Sequence, residues 1–156
     1  MKEYNEELLS AWLRVSNAIC NERIVSSLSY NESLVCNIIY NQMKHDPENY
    51  LTATDLCEKT RLIKSLMSRT INGLVKKKIL VKERSGTDKR NVYVKLNKEA
   101  IPLYEKSREG VLAIVEDIRK KLEERLGKEK SVELVDTLNT IADVASEVVI
   151  DIWLNF

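Results

Sequence analysis

Apolar positions recur at helical spacing through most of this 156-residue chain. Near the start, Leu8, Trp12, Val15 and Ile19 fall three or four residues apart, with Leu9, Leu13 and Cys20 beside them, which predicts an amphipathic helix. Leu34, Val35, Ile38, Ile39 and Met43 repeat the pattern from Asn31 to Met43, and His45-Asp46-Pro47 closes it, because proline disfavours helical backbone in the residue before it. In Leu51-Thr52-Ala53-Thr54-Asp55-Leu56, Thr52 precedes Asp55 by three residues, the spacing of an N-cap hydroxyl and an acidic N3 side chain. The short helix that follows should end near Thr60. From Ile63 to Val75 a further helix places Leu66 or Met67, Thr70 or Ile71, and Leu74 on a buried face, leaving Lys64, Ser65, Ser68, Arg69 and Asn72 on the other.

The period then changes. Leu80-Val81-Lys82-Glu83-Arg84 and Asn91-Val92-Tyr93-Val94-Lys95-Leu96 read as two strands joined by the polar turn Ser85-Gly86-Thr87-Asp88-Lys89-Arg90, in which Gly86 and Asp88 supply the turn chemistry. A short helix, a tight turn, a second helix and a basic hairpin make a winged helix-turn-helix. Two long helical patterns follow. Ile101, Tyr104, Val111, Val115, Ile118, Leu122 and Leu126 fall mostly three or four apart, Gly127 breaks the run, and Val135, Leu138, Ala142, Ala145, Val149 and Ile152 resume it towards the apolar end Ile152-Trp153-Leu154-Asn155-Phe156. That much apolar surface is better covered by a second copy than by water. The fold class is therefore mainly α with a small β-hairpin wing (α+β). A dimerisation helix occupies residues 1–27, a DNA-binding lobe residues 28–97 and C-terminal dimerisation helices residues 98–156, in one intertwined domain.

Composition agrees with long helices, since only four glycines and two prolines interrupt the chain. The net charge of +1 conceals an asymmetry: Lys59 to Arg90 holds eleven Lys and Arg against Glu83 and Asp88, a local balance of +9, and the remainder carries −8. The basic segment coincides with the helix-turn-helix and its hairpin, which points to a polyanionic partner. Short hydroxyls at Ser65 and Ser68 allow close approach to a major groove, while Lys64 and Arg69 reach phosphates and guanine edges, with Asn72 on the same DNA-binding face. Arg84, Thr87, Asp88, Lys89 and Arg90 belong to the wing, whose tip fits an adjacent minor groove. Double-stranded DNA is the expected partner, with two recognition helices about one helical turn apart in a homodimer.

Asp88-Lys89-Arg90-Asn91-Val92-Tyr93-Val94-Lys95-Leu96 resembles the wing signature of the MarR-type transcriptional regulators. Ser68-Arg69 followed by Leu74 to Lys82 is similar to that family's recognition helix and the strand after it. The resemblance covers roughly Leu28 to Ala100 and implies that Arg90 enters the minor groove. It also implies that Asp88 orients the wing through a basic side chain such as Arg69, and that Lys64, Ser65 and Ser68 face the major groove. Lys78 stands where the family usually has a helix-ending glycine, and Asn97 replaces a common threonine at the next cap. Such regulators are often repressors relieved by a small aromatic or amphipathic effector, or by an oxidant. Cys20 is the candidate redox residue, against the plainer reading of a buried structural thiol.

Catalysis has little to stand on. His45 is the one histidine, beside Asp46-Pro47 in a turn without partners nearby, and there is no phosphate-cradling glycine loop, no HExxH and no Cys/His spacing suited to a metal. No cofactor is expected. Cys20, Cys36 and Cys57 are odd in number and lack CxxC spacing, so reduced thiols are expected, with Cys36 and Cys57 in the core. Tyr4, Tyr30, Tyr40, Tyr50 and Trp12 read as core or interface aromatics. No segment has the length or apolarity of a membrane span or a signal peptide, and a cytoplasmic location is expected. The rival function is a winged-helix module that docks on a protein, which the lysine-rich segment disfavours.

Overall fold

The computed structural model describes residues 2–21, 28–86 and 91–154. The elements are α1 (Lys2–Asn21), α2 (Tyr30–His45), β1 (Leu51–Thr52), α3 (Ala53–Thr60), α4 (Lys64–Lys76), β2 (Leu80–Arg84), β3 (Val92–Leu96), α5 (Ile101–Leu126) and α6 (Lys128–Leu154). The chain forms two compact units, Met1–Val111 and Leu112–Phe156. This is an α+β winged helix-turn-helix, as the periodicity predicts.

Local chemistry sets the boundaries. Ser29 caps α2 reciprocally with Glu32, the Ser29 hydroxyl accepting from the Glu32 N–H and the Ser29 N–H donating to Glu32 Oε2 at 2.9 Å. Thr52 and Asp55 form the same box at α3, where the Thr52 N–H donates to Asp55 Oδ2 at 2.7 Å. Arg61 ends α3 in the left-handed region (φ 59°), and three residues later α4 begins. Lys78, in the place of the family's glycine, is left-handed as well (φ 59°). Its N–H donates to the Val75 carbonyl, and the Ile79 N–H donates to that of Leu74, both at 2.9 Å. That pair of bonds is the Schellman termination that glycine usually provides.

One difference from the sequence reading is β1. Leu51–Thr52 pairs antiparallel with β3, giving a three-stranded sheet of order β1-β3-β2 with Leu51 opposite Val94. A two-residue strand offers no alternation to detect, and its partner lies some forty residues away. A second difference is the start of α5, which falls at Ile101 and not directly after the expected cap Asn97. There the missing N–H of Pro102 lies in the first turn, where no intrahelical acceptor exists for it. Asn97 accordingly does not cap the helix directly. Its Oδ1 accepts from the Glu99 N–H at 3.3 Å, and its Nδ2 donates to the Lys78 carbonyl at 2.9 Å.

The core joins α2 (Val35, Cys36, Ile39), α3 (Leu56), α4 (Met67, Ile71, Leu74) and the sheet (Leu51, Leu80, Val94, Leu96). Each fully buried Leu, Val or Met contributes about 1.5–3 kcal/mol. Cys36 is buried and Cys57 half-buried against this cluster, and both thiols are free. Of the aromatics, Tyr40 and Tyr104 pack on the core, whereas Tyr4, Trp12, Tyr30 and Tyr50 are exposed. Also exposed are Leu8, Leu9, Leu13 and Val15 on α1 and, in the second unit, Ile118, Val132, Val135, Leu138, Ile141 and Val144. The side chains of Ile19, Cys20, Val149 and Ile152 to Phe156 lie outside the described residues.

Candidate nucleic-acid interface

Helix α4 owes its orientation to burial of one face. Met67, Thr70, Ile71 and Leu74 are buried, and the Thr70 hydroxyl is satisfied locally by the Leu66 carbonyl at 2.9 Å. Lys64, Ser65, Ser68, Arg69, Asn72 and Lys76 are all exposed, and at helical pitch they occupy an arc of about 140° opposite the buried face. Ile63, the N-cap residue, supplies no side-chain hydrogen bond. The first-turn N–H groups of α4 thus stay available to solvent or to an anionic oxygen.

The hairpin continues this surface. Alternation along β2 puts Leu80, Lys82 and Arg84 on one face and Val81 and Glu83 on the other. Leu80 enters the core, Arg84 is exposed, and Lys82 Nζ donates to Asn72 Oδ1 at 2.7 Å, tying the wing strand to α4. Sequence reasoning did not single out Lys82, because strand periodicity gives its face but not the helix beside it. On the opposite face Lys95 pairs with Glu83 at 2.7 Å and lies 3.5 Å from the centre of the Tyr50 ring, which itself packs against Tyr93. The base of the turn is closed by the Ser85 N–H donating to the Asn91 carbonyl at 2.9 Å. The expected wing-tip residues Thr87, Asp88, Lys89 and Arg90 lie outside the described residues, as does the side chain of Cys20.

Two other groupings bear on function. Tyr40 of α2 donates to Glu105 Oε1 at 2.9 Å, and Lys44 approaches the same oxygen at 3.2 Å. The hydrogen bond from Tyr40, then that from Lys44, hold the Glu105 carboxyl below its ordinary pKa. Tyr104 stacks obliquely on Tyr40, and burial pushes its phenol up to about 12. This cluster fastens the start of α5 to α2. Separately, a cavity of about 660 Å³ opens beside the end of α2, lined by apolar Ile39, Met43, Leu51 and Leu96 and rimmed by Tyr50 and Lys95. Among the described residues no group of His, Cys, Asp or Glu is placed to hold a metal ion, and no helix is long and apolar enough to cross a membrane.

Comparison with known proteins supports the architecture. Residues 16–107 match the family described as transcriptional regulator SarA/Rot. No curated protein matches the chain. Among solved structures, the adhesin competence repressor AdcR from Streptococcus pyogenes superposes with a TM-score of 0.62 at 19% identity, covering 87% of this chain and 95% of that one. The regulator PcaV from Streptomyces coelicolor, in complex with its natural ligand, gives 0.63 at 17% identity, covering 88% and 91%. A point variant of MepR from S. aureus bound to an oligodeoxyribonucleotide gives 0.53 at 15% identity, covering 93% and 98%. The fold is that of the MarR-type winged-helix regulators, as the wing and recognition-helix residues imply.

Proposed function

The chain belongs to the SarA/Rot family of transcriptional regulators, and we propose that it acts as a sequence-specific repressor that binds a palindromic double-stranded DNA operator as a homodimer. The observation that carries this reading is the exposed arc of α4, in which Lys64, Ser65, Ser68, Arg69 and Asn72 stand opposite a fully buried face. Small hydroxyls at the centre let the helix approach base edges, and the flanking cations neutralise phosphates. Arg84, Thr87, Asp88, Lys89 and Arg90 extend the contact through the wing, with Arg90 in the minor groove. Dimerisation through α1, α5 and α6 is supported by their exposed apolar positions and brings two such helices to successive major grooves.

Relief of repression by a small aromatic or amphipathic effector belongs to the same proposal. The cavity beside α2 has the volume and apolar lining of a small-molecule site and reaches the wing through Lys95 and Glu83. The test of the function is binding to random and selected duplexes across a salt series, with Arg90→Ala and Ser68→Ala beside the wild type. Nanomolar affinity for a palindrome, a steep salt slope and loss on Arg90→Ala are expected. Weak binding alike on all duplexes, unmoved by either substitution, overturns the reading and favours a protein-docking winged helix.

A further inference from the structure

The contact between Lys82 and Asn72 bears on what the recognition helix reads. Asn72 lies on the exposed arc of α4, one turn beyond Ser68 and two beyond Ser65. An asparagine amide has one accepting and one donating end, and nothing intrinsic decides which end faces outward. Here the neighbour decides it. An ammonium donates and never accepts, so only the amide oxygen can meet Lys82 Nζ, and it does so at 2.7 Å. The Nδ2 amino group is therefore the end turned away from Lys82. Strand β2 keeps Lys82 in place: Leu80, two residues earlier on the same face, is anchored in the core, and the backbone of Lys82 is registered opposite Val94 of β3, itself buried.

This matters because asparagine recognises adenine by using both ends, donating to N7 and accepting from the N6 amino group. With a cation against Oδ1, one of its two lone pairs is engaged, and an N6 amino group approaching the other would meet a positive charge. Guanine presents O6 and N7, two acceptors and no donor, on the same edge. We infer that Lys82 makes Asn72 a donor-only reader, which selects guanine over adenine at one position in each half-site. The inference rests on the DNA-binding reading of α4 given above. Lys82 acts in it as a positioning residue, through Asn72 and not by touching a base.

The experiment is selection of bound duplexes from a randomised pool by the full chain, followed by competition at two salt concentrations, for wild type, Lys82→Met, Lys82→Arg and Asn72→Ala. The three variants should keep the wild-type Tm within a few degrees, because both side chains are exposed. The wild type should favour guanine over adenine by about five- to tenfold at one position per half-site, the lower part of the range for a base contact. Lys82→Met should move that position towards adenine and leave the others unchanged, Lys82→Arg should keep guanine, and Asn72→Ala should erase the preference there. An adenine preference in the wild type, or an unchanged profile for Asn72→Ala, overturns the inference. So does a Lys82→Met protein that keeps guanine but binds every duplex more weakly with a salt slope lower by about one, the mark of a phosphate contact. Those outcomes leave the regulator reading standing, whereas a wild type that selects no duplex at all overturns both.

Discussion

Lys77 Nζ donates to Glu32 Oε2 at 2.7 Å, joining residues 45 apart in sequence and fastening the first turn of α2 to the C-cap of α4. Glu32 is buried, and its carboxylate also accepts from the Ser29 N–H while passing over Gly73, where a Cβ would come within 3.4 Å of Oε1. One side chain thus caps one helix and holds the end of the recognition helix. Loss of this side chain should be felt at both.

Glu32→Ala is expected to destabilise the protein by about 1–3 kcal/mol, from the lost cap and the abandoned partners. The effect has a pH signature. Burial raises the Glu32 pKa, but the hydrogen bond from Lys77, the Ser29 N–H, the Lys77 charge and the Ser29 hydroxyl outweigh it and leave the group below its ordinary 4.5. A depressed folded pKa gives stability that is fully present above the unfolded value and is lost as pH falls through the folded one. Urea unfolding should therefore separate wild type from Glu32→Gln at pH 7, with the gap narrowing below pH 4.5. A gap equal at pH 7 and pH 3 would refute the assignment.

Lys78→Gly should stabilise the protein by up to about 1 kcal/mol, because a side chain in left-handed backbone carries a steric penalty that glycine does not. The Schellman bonds from Lys78 and Ile79 and the Asn97 bond to the Lys78 carbonyl involve backbone atoms at this site and survive the change. Thermal unfolding measures it. A lower Tm would mean that the Lys78 side chain contributes more than its backbone conformation costs.

Cys36 should be inert in the folded protein. It is fully buried, and burial, then the nearby Glu32 charge, push its thiol up to about 12, so almost no thiolate forms near neutral pH. In a Cys20→Ser background, an aromatic disulfide reagent at pH 8 should titrate Cys57 alone until urea is added. Rapid labelling of Cys36 under native conditions would show that the α2–α4 interface opens locally.

The parts of this fold that local chemistry specifies were legible in the sequence, and the parts made by distant pairings were not. Thr52 and Asp55 announce α3, and the spacing of Met67, Thr70, Ile71 and Leu74 gives both the buried face of α4 and, by complement, Lys64 to Asn72 as its outer face. The α2 cap is equally local, yet the apolar run that begins at Leu34 draws attention past Ser29 and Glu32. β1, the Glu32–Lys77 pair and the Lys82–Asn72 pair each depend on how close two elements come, which periodicity does not encode. Lys78 was visible as a departure from the resembled pattern. That its backbone would adopt the glycine conformation anyway follows from the Schellman bonds, which only the structure shows.

Val135, Leu138, Ile141 and Val148 fall within an arc of about 140° along α6 and form a stripe, and all are exposed in the single chain. A second copy is the proposed cover. Val135→Glu with Leu138→Glu should therefore shift the protein from dimer towards monomer in sedimentation equilibrium, with weaker operator binding. Retained dimer mass with a lower Tm would put the cover of the stripe within one chain.

Salt dependence separates the two kinds of contact proposed for α4 and the wing. Arg69 and Arg84 are exposed cations, on α4 and on the face of β2 that also carries Lys82. If each neutralises a phosphate, each alanine substitution removes about one counterion from those released on binding, so the slope of log affinity against log salt should fall by about 0.9 per contact, and twice that in a dimer. Such losses should be alike on operator and random duplexes. Ser68→Ala should do the reverse, keeping the slope and losing discrimination, because a hydroxyl releases no counterion but does meet base edges. Titration of each variant on both duplexes at four salt concentrations distinguishes the cases. If Arg69→Ala instead abolished discrimination with the slope intact, Arg69 would be a guanine-reading side chain, and the phosphate anchors of α4 would fall to Lys64 and Lys76.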